Sequence, residues 1–282
     1  MNSVKLILEL SKPIISLAVA FSTLTAYVLS SKRIDLFALF LVLGIFCFAS
    51  FASILNQIQE WKYDKLMNRT SNRAIPSNRI SIKGAYLIAF AYAIMGSFFF
   101  TFFNNLLIFL LVLITLLFYN FIYTPLKRIS VISILPGAVV GSIPPTIGWA
   151  AGNGSFANPV IWVLALFFFM GQIPHFALLS LRYGKEFKAA GYPVITNYFS
   201  RKQIQNISFI WIFAVGFIAL ILALKASYLY YLILGGFIYL AVSSFLWKKV
   251  SQSVYQDRKM FLELNFFYLL VMIVLCMQVF IL

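Results

Sequence analysis

NQIQEWKYDKLMNRTSNRAIP, residues 56–76, is the most informative segment of the chain, because it crowds acids, amides and arginines between two long apolar runs. Carboxylate and amide oxygens are hard ligands of the kind that Mg²⁺ accepts. Arginine guanidinium groups bind phosphate oxygens through paired hydrogen bonds. The segment therefore indicates a metal-diphosphate site at a membrane surface.

The rest of the chain is strongly apolar, with 62% hydrophobic and only 10% charged residues over 282 positions. A soluble domain cannot hide that much apolar surface, and a helix needs about 20 apolar residues to span a bilayer. Apolar runs between polar breaks predict a single all-α transmembrane domain over residues 1–282. Its nine predicted spans cover residues 13–31, 36–56, 84–103, 106–123, 131–150, 159–180, 205–224, 228–247 and 261–281.

The basic residues indicate how these spans are oriented. All of the 22 lysines and arginines except Lys32, Arg33 and Lys225 fall on one side. Because the positive side is cytoplasmic, we expect a cytoplasmic N-terminus and cytoplasmic active-site loops in a bacterial-type inner or plasma membrane. This topology, with attraction to anionic lipid, explains the net charge of +15. Nucleic acid is disfavoured as a partner, because the pattern contains no soluble basic domain.

Asn56, Glu60 and Asp64 follow one another at positions i, i+4 and i+8. In a helix each is displaced by only about 40° from the last, so all three share one face and can converge on one cation. Arg69 and Arg73 lie further along and are candidate phosphate ligands. The alternative is that the two carboxylates only form surface ion pairs, each worth about 0–1 kcal/mol.

Two later segments are less specific. Lys127 and Arg128 lie in the basic loop YTPLKRIS, residues 123–130, which alone indicates little more than a positive-inside anchor. The glycine-rich residues 137–154 contain Pro144-Pro145, which we expect to interrupt the span. A broken span is tolerated where it lines a cavity, and the glycines favour close helix packing equally well.

The segment GQIPHFALLSLRYGKEFKAAGYP, residues 171–193, contains His175, the only histidine of the chain. An ionisable side chain within a span is a functional candidate, and the alternative is a buried, hydrogen-bonded histidine beside Pro174. Glu186 stands among basic residues and is either a further metal ligand or half of a surface ion pair. Spacing alone does not decide between these roles.

Together these segments resemble the motifs of the UbiA-type intramembrane prenyltransferases and, within that superfamily, those of the haem O synthases. The segment from Asn56 to Pro76 looks like the first acidic motif of that family, and the resemblance extends from the N-terminus to about Pro193. Five further matches follow the family's order. They are LSKPIIS at residues 10–16, Tyr123 with Leu126-Lys127-Arg128, Gly141 with Pro144-Pro145 and Gly148-Trp149, Pro174-His175-Phe176, and Ala190-Gly191 with Pro193.

The resemblance implies nine transmembrane helices around a central cavity, with an active site under a cytoplasmic cap. Asn56, Glu60 and Asp64 would hold Mg²⁺ against the diphosphate of a farnesyl donor. The farnesyl group would pass to a vinyl group of haem B. The resemblance assigns diphosphate binding to Arg69, Arg73, Lys127 and Arg128, and a position near the acceptor to His175.

Some positions depart from the family pattern, namely Gln57, Lys62, Ala177 and Glu186-Phe187. They leave open the number of metal ions and the acceptor, so that transfer to an aromatic or quinone-precursor ring is an alternative. A transporter is a third hypothesis. Transporters place ionisable residues near the bilayer midplane between repeats, whereas three of the seven acids here lie beside the basic loops. We therefore expect an enzyme.

Overall fold

The computed structural model describes residues 3–224, 229–250 and 254–281, and the regular structure in these ranges is helical. Nine helices within the described ranges are long and apolar enough to cross a membrane, which confirms the predicted all-α transmembrane fold with nine spans. Lys225, expected on the outer side, lies outside the described residues. The helices are α1 (Ser3–Ser11), α2 (Pro13–Ser31), α3 (Leu36–Asp64), α4 (Ile82–Phe100), α5 (Leu106–Leu117), α6 (Thr124–Leu126), α7 (Ile134–Ala151), α8 (Pro159–Ala189), α9 (Arg201–Leu222), α10 (Tyr230–Val250) and α11 (Val254–Ile281). A π-helical stretch, Phe118–Tyr123, joins α5 to α6, and the three together form the single span Leu106–Leu126.

The helices α3 and α8 are longer than a membrane requires. Their 29 and 31 residues correspond to about 44 and 46 Å, against about 30 Å for the hydrocarbon core. The sequence predicts that these spans end at residues 56 and 180, whereas the helices continue to Asp64 and Ala189. A helix satisfies its own backbone, so it can continue through polar turns beyond the apolar span. The candidate site residues therefore lie on two rigid supports.

Polar caps fix where several spans begin. The side chain of Asp35 accepts a hydrogen bond from the backbone N–H of Ala38 at the start of α3, and Asn158 does the same for Val160 in α8. Such a cap contributes about 0.5–2 kcal/mol, because it satisfies a donor that the helix leaves unpaired. Asp35 also accepts a hydrogen bond from Tyr27 at 2.7 Å, which connects α2 with α3.

The helix α7 runs without a break through Pro144 and Pro145. The prediction that this pair interrupts the span is therefore wrong. Transmembrane helices tolerate proline where neighbouring helices and hydroxyl groups satisfy the freed backbone groups.

Glycines bring α7 close to α2. A Cβ atom at Gly148 would lie 1.9 Å from the carbonyl oxygen of Thr23, and one at Gly152 would lie 2.9 Å from that of Tyr27. Only glycine permits such an approach of two helix backbones. Of the two interpretations of the glycine-rich segment, close helix packing is confirmed at these positions.

The bundle closes because α11 packs against both α2 and α8. In a bilayer, contacts of this kind stabilise the fold through close packing rather than through removal of apolar surface from water. The largest core cluster joins α8, α9, α10 and α11 and includes Leu164, Phe167, Ile212, Phe237 and Val271.

Candidate active site at the polar ends of α3 and α8

Asn56, Glu60 and Asp64 lie together on α3, and each has at most 4% of its surface exposed. The amide nitrogen of Asn56 donates to Oε2 of Glu60 and to Oγ1 of Thr124, both at 3.0 Å. These bonds use the nitrogen and leave the carbonyl oxygen as the atom for a cation. Because all three side chains are buried, the alternative that the two carboxylates only form surface ion pairs is wrong.

Two ion pairs neutralise the carboxylates. Nζ of Lys127 lies 2.6 Å from Oε2 of Glu60, and Nη1 of Arg73 lies 2.8 Å from Oδ2 of Asp64. Buried carboxylates persist only where they are paired and hydrogen-bonded. Arg73 comes from residues 65–81, the connection between α3 and α4, which we call the cap loop. Two of the four predicted phosphate ligands are therefore in direct contact with the acids.

Arg69 and Arg128 lie at the margin of this centre. The guanidinium group of Arg69 lies over the rings of Tyr183 and Phe187, at 4.8 and 5.7 Å from their centroids. Nη2 of Arg128 donates to the backbone carbonyl of Gln59 at 2.6 Å. Contacts with α8 and with the backbone of α3 thus hold the other two predicted ligands.

Sequence reasoning missed Lys12 as a site residue. Lys12 as a whole is half-buried, and its ammonium group lies within the field of Arg73 and Lys127. Burial of that group together with these two charges lowers its pKa to about 7. The backbone of Lys12 is left-handed, with φ of 46°, although Pro13 follows it. Strained backbone of this kind occurs at functional sites. The only signal in the sequence was the LSKPIIS match.

Tyr192 was also missed as a site residue. Its hydroxyl group donates to Oε1 of Glu60 at 2.9 Å, and burial together with the carboxylate raises the pKa of the tyrosine. The preceding Gly191 has φ of 82°, a conformation that glycine adopts readily, and the chain turns there after the end of α8. The Ala190-Gly191-x-Pro193 match marked this segment but gave its third residue no role.

His175 lies deeper in the bundle than the acidic centre. It precedes Glu186 on α8 by eleven residues, which is about 16 Å along the helix axis. Its ring contacts those of Phe176 and Phe261, with centroids 5.8 and 4.7 Å apart. The acidic centre and His175 are therefore separate places within the helix bundle.

A row of aromatic rings connects these two places. Nζ of Lys127 lies 5.2 Å from the ring centroid of Tyr123, which in turn lies 5.9 Å from that of Phe176. Tyr119 stacks on Tyr123 with centroids 5.7 Å apart. A Cβ atom at Gly137 would come within 3.0 Å of Phe176 and Tyr123, so glycine leaves room for the row.

Glu186 is turned toward the cap loop. Its Oε2 accepts a hydrogen bond from the backbone N–H of Arg69 at 3.0 Å. In the part of the chain that the structure describes, no three His, Cys, Asp or Glu side chains come together as a metal-binding group. A role for Glu186 as a further metal ligand stays a prediction.

The donor set of the acidic centre fits Mg²⁺. This ion is usually bound by one or two carboxylates and completes its shell with water and phosphate oxygens. Glu60, Asp64 and the carbonyl oxygen of Asn56 form such a set. If a cation takes the carboxylates, Arg73 and Lys127 lose their present partners and are released for phosphate oxygens.

The profile of the UbiA prenyltransferase family matches residues 19–271 of the chain. The protoheme IX farnesyltransferase of Cytophaga hutchinsonii is 36% identical over 188 residues, which cover 65% of this chain and 64% of that protein. The mitochondrial protoheme IX farnesyltransferase of Arabidopsis thaliana is 36% identical over 192 residues, covering 67% and 44%. The chain thus spans less than two thirds of the length of these curated relatives.

Two solved structures share the fold over nearly all of the chain. A digeranylgeranylglyceryl phosphate synthase superposes with a TM-score of 0.76 at 16% identity and covers 100% of both chains. A UbiA homolog from Archaeoglobus fulgidus, bound to GPP and Mg²⁺, gives a TM-score of 0.69 at 15% identity and covers 96% of this chain and 99% of its own. At these identities the likeness shows the fold alone.

Proposed function

This chain belongs to the UbiA prenyltransferase family, and from this premise we propose that it transfers a farnesyl group from farnesyl diphosphate to a vinyl group of haem B. The product is haem O, and the reaction depends on Mg²⁺. The observation that carries the proposal is the cluster of buried side chains of Asn56, Glu60 and Asp64, in which Arg73 pairs with Asp64 and Lys127 pairs with Glu60. The names of the curated relatives support haem as the acceptor.

The donor diphosphate binds where the two ion pairs now lie. Asn56, Glu60 and Asp64 would hold Mg²⁺, which supplies charge stabilisation to the leaving diphosphate. Arg73 presents a planar fork of N–H groups to two phosphate oxygens, and Lys127 adds a compact point charge. Preorganised donors of this kind favour bond breaking, because they are aimed at the charge that develops on the leaving group.

Three further cations complete the diphosphate site. The ammonium group of Lys12 lies within the field of Arg73 and Lys127, so it is available to the same phosphates. Arg69 and Arg128 stand at the margin and are held there by ring and backbone contacts. Together they balance the diphosphate charge that the metal leaves uncompensated.

Bond breaking then produces an allylic cation. The C1–O bond of the donor breaks, and its electron pair leaves with the diphosphate. The row of aromatic rings formed by Tyr123, Tyr119 and Phe176 starts beside Lys127, next to the bound diphosphate. Aromatic faces stabilise a nearby cation by about 0.5–2 kcal/mol each, and the apolar wall keeps water away from it.

The acceptor lies at the other end of the aromatic row. The vinyl group of haem B attacks C1 of the farnesyl cation and forms the new C–C bond. Water then adds to the cation left on the vinyl carbon and loses a proton, which gives a hydroxyethylfarnesyl substituent. The position of His175 between Phe176 and Phe261 supports a role beside this acceptor.

The membrane accommodates both the prenyl tail and the porphyrin. The active-site loops lie on the cytoplasmic face and the N-terminus is cytoplasmic, because most of the basic residues fall on that side of the nine spans. A bacterial-type inner or plasma membrane satisfies this orientation.

The test is to incubate the purified protein in detergent with Mg²⁺, farnesyl diphosphate and haem B, and to follow the haem product by mass. We expect the mass of hydroxyethylfarnesyl haem, and we expect chelation of Mg²⁺ to abolish it. Diphosphate release that requires a quinone precursor or another aromatic acceptor, without any haem product, would keep the prenyltransferase chemistry and reject haem as the acceptor.

A further inference from the structure

The cap loop is attached to the body of the protein at both of its ends. Near one end, Arg79 makes two hydrogen bonds to Glu9 of α1, at 2.7 and 2.8 Å. Near the other end, the backbone N–H of Arg69 donates to Glu186 of α8 at 3.0 Å. A carboxylate from a different helix therefore holds each end of the segment that carries Arg73.

The attachment at Arg69 is made by one short stretch of α8. The guanidinium group of Arg69 lies 4.8 and 5.7 Å from the ring centroids of Tyr183 and Phe187, while Glu186 accepts the hydrogen bond of the Arg69 backbone amide. Met67 of the same loop packs against Ala190 and other residues that follow this stretch. The end of α8 and the residues just after it thus contact the side chain of Arg69, its backbone amide and the nearby apolar side chain of Met67.

The Glu186 carboxylate hydrogen-bonds to this backbone amide rather than to the residues of the acidic centre. Glu60 and Asp64 have their own partners in Lys127 and Arg73. Among the residues with described positions, Glu186 forms no three-membered acidic group with them. A hydrogen bond from a neutral backbone amide to an ionised carboxylate is charge-assisted and stronger than a neutral one.

We propose that Glu186 is a positioning residue that holds the cap loop closed on α8 by accepting the hydrogen bond of the Arg69 amide. The closed loop keeps Arg73 beside Asp64 and covers the diphosphate site. That the closed loop also protects an allylic cation from water rests on the proposed function. In an open site, water attacks C1 of the cation and, after losing a proton, gives farnesol instead of prenylated acceptor.

Two conservative substitutions separate this role from metal binding. Glu186→Gln keeps the length of the side chain and an oxygen acceptor but removes the negative charge that a metal requires. Glu186→Asp keeps the charge but withdraws the carboxylate by one methylene group from the Arg69 amide. If Glu186 holds the loop, the Glu186→Gln variant should stay closer to wild type than the Glu186→Asp variant. If Glu186 binds a metal, the order of the two variants should be reversed.

The first readout is hydrogen–deuterium exchange of the loop peptide that contains Arg69, in detergent-purified protein. We expect Glu186→Gln, which keeps an oxygen acceptor but loses the charge assistance, to exchange about two- to fourfold faster than wild type. Glu186→Asp and Glu186→Ala should exchange about tenfold faster, since each tenfold step equals about 1.4 kcal/mol of lost protection. The matched control is Lys185→Gln, a change at an exposed neighbour on the same turn, which should leave exchange unchanged.

The second readout is the Mg²⁺ concentration that gives half-maximal turnover, together with the ratio of farnesol to prenylated product. We expect Glu186→Gln to leave both within about twofold, and Glu186→Asp to raise the farnesol ratio several-fold. If the loop peptide exchanges at the wild-type rate in both Glu186→Asp and Glu186→Ala, the proposal is overturned. A tenfold higher Mg²⁺ requirement in Gln than in Asp would overturn it in favour of a metal ligand. If no turnover is found with haem, the exchange result still tests the loop contact, while the proposed function fails separately.

Discussion

The hydroxyl group of Tyr192 lies 2.9 Å from Oε1 of Glu60 and donates a hydrogen bond to it, although 132 residues separate the two along the chain. The other oxygen of the same carboxylate accepts from Lys127 at 2.6 Å. Both oxygens of Glu60 are therefore oriented by residues that follow other helices. A carboxylate fixed in this way presents its remaining lone pairs to a cation in one geometry.

Tyr192→Phe should weaken Mg²⁺ binding without unfolding the protein. The change removes the hydrogen bond to Glu60 but keeps the ring that packs beside Met67 and Ala190. Outer partners of metal ligands commonly matter by about 10–100-fold, so we expect at least a tenfold higher Mg²⁺ concentration for half-maximal turnover. Tyr198→Phe, at an exposed tyrosine nearby, is the matched control. An unchanged Mg²⁺ requirement in Tyr192→Phe would contradict the orienting role.

Asp64→Ala should abolish turnover and leave the membrane fold intact. Asp64 is a candidate metal ligand and the partner of Arg73 at 2.8 Å. Its removal therefore takes away one of the two carboxylates of the candidate metal site. The measurement is product formation by mass, with the size-exclusion profile in detergent as the check on folding. Lys65→Ala, at the exposed next residue, should retain activity. Ordinary turnover by Asp64→Ala would reject the proposed metal site.

Arg73→Lys should raise the KM for the prenyl diphosphate by about tenfold while the protein still folds. Lysine keeps the charge opposite Asp64, but a point charge does not reproduce the two parallel hydrogen bonds of the guanidinium fork. The measurement is the KM for farnesyl diphosphate at saturating Mg²⁺. Arg258→Lys, at an exposed arginine of α11, is the control, and equal KM values in both variants would count against phosphate binding by Arg73.

The nine spans could be predicted from the sequence because their hydropathy is high and uninterrupted. The shared face of Asn56, Glu60 and Asp64 was also predictable, because the spacing of a helix is regular. Both results depend only on neighbours along the chain. What lay beyond prediction was how far α3 and α8 continue as helices past the apolar segment, since polar turns carry no membrane signal.

The partners of the acids could not be predicted from local pattern. Lys12 and Tyr192 reach Glu60 and its neighbours from distant parts of the sequence, and only the three-dimensional packing brings them there. The continuous α7 was missed for a related reason, because α2, whose Thr23 packs against Gly148 of α7, lies far from α7 in the sequence. Local proline chemistry alone favoured a break.

Gly148→Ala should destabilise the bundle strongly, whereas Gly235→Ala should not. A Cβ atom at Gly148 would lie 1.9 Å from the carbonyl oxygen of Thr23, while one at Gly235 would meet nothing within 4 Å. Overpacking of this kind costs about 1–3 kcal/mol or more, and alanine in an open helix position is favoured over glycine by about 1 kcal/mol. Thermal unfolding in detergent is the measurement. Equal melting temperatures for the two variants would contradict the tight contact between α2 and α7.

The charge of Lys12 should make donor binding depend on pH. Its pKa is lowered to about 7 by burial and by Arg73 and Lys127, against the opposing effect of Asp64 and Glu60. The ammonium form therefore predominates below pH 7 and is lost as the pH rises through that value. Because an anionic diphosphate binds the charged form, we expect the KM for the donor to rise several-fold between about pH 5.5 and pH 8.5, a range of about one and a half units either side of the pKa.

Two variants separate Lys12 from other titrating groups, including the donor itself. Lys12→Arg stays charged over the whole range, so it should keep a low KM at the alkaline end, where the wild type weakens. Lys12→Met removes the charge at every pH and should show a high KM with little pH dependence. If all three proteins follow the same pH profile, the dependence belongs to the substrate or to another group, and Lys12 does not bind the diphosphate.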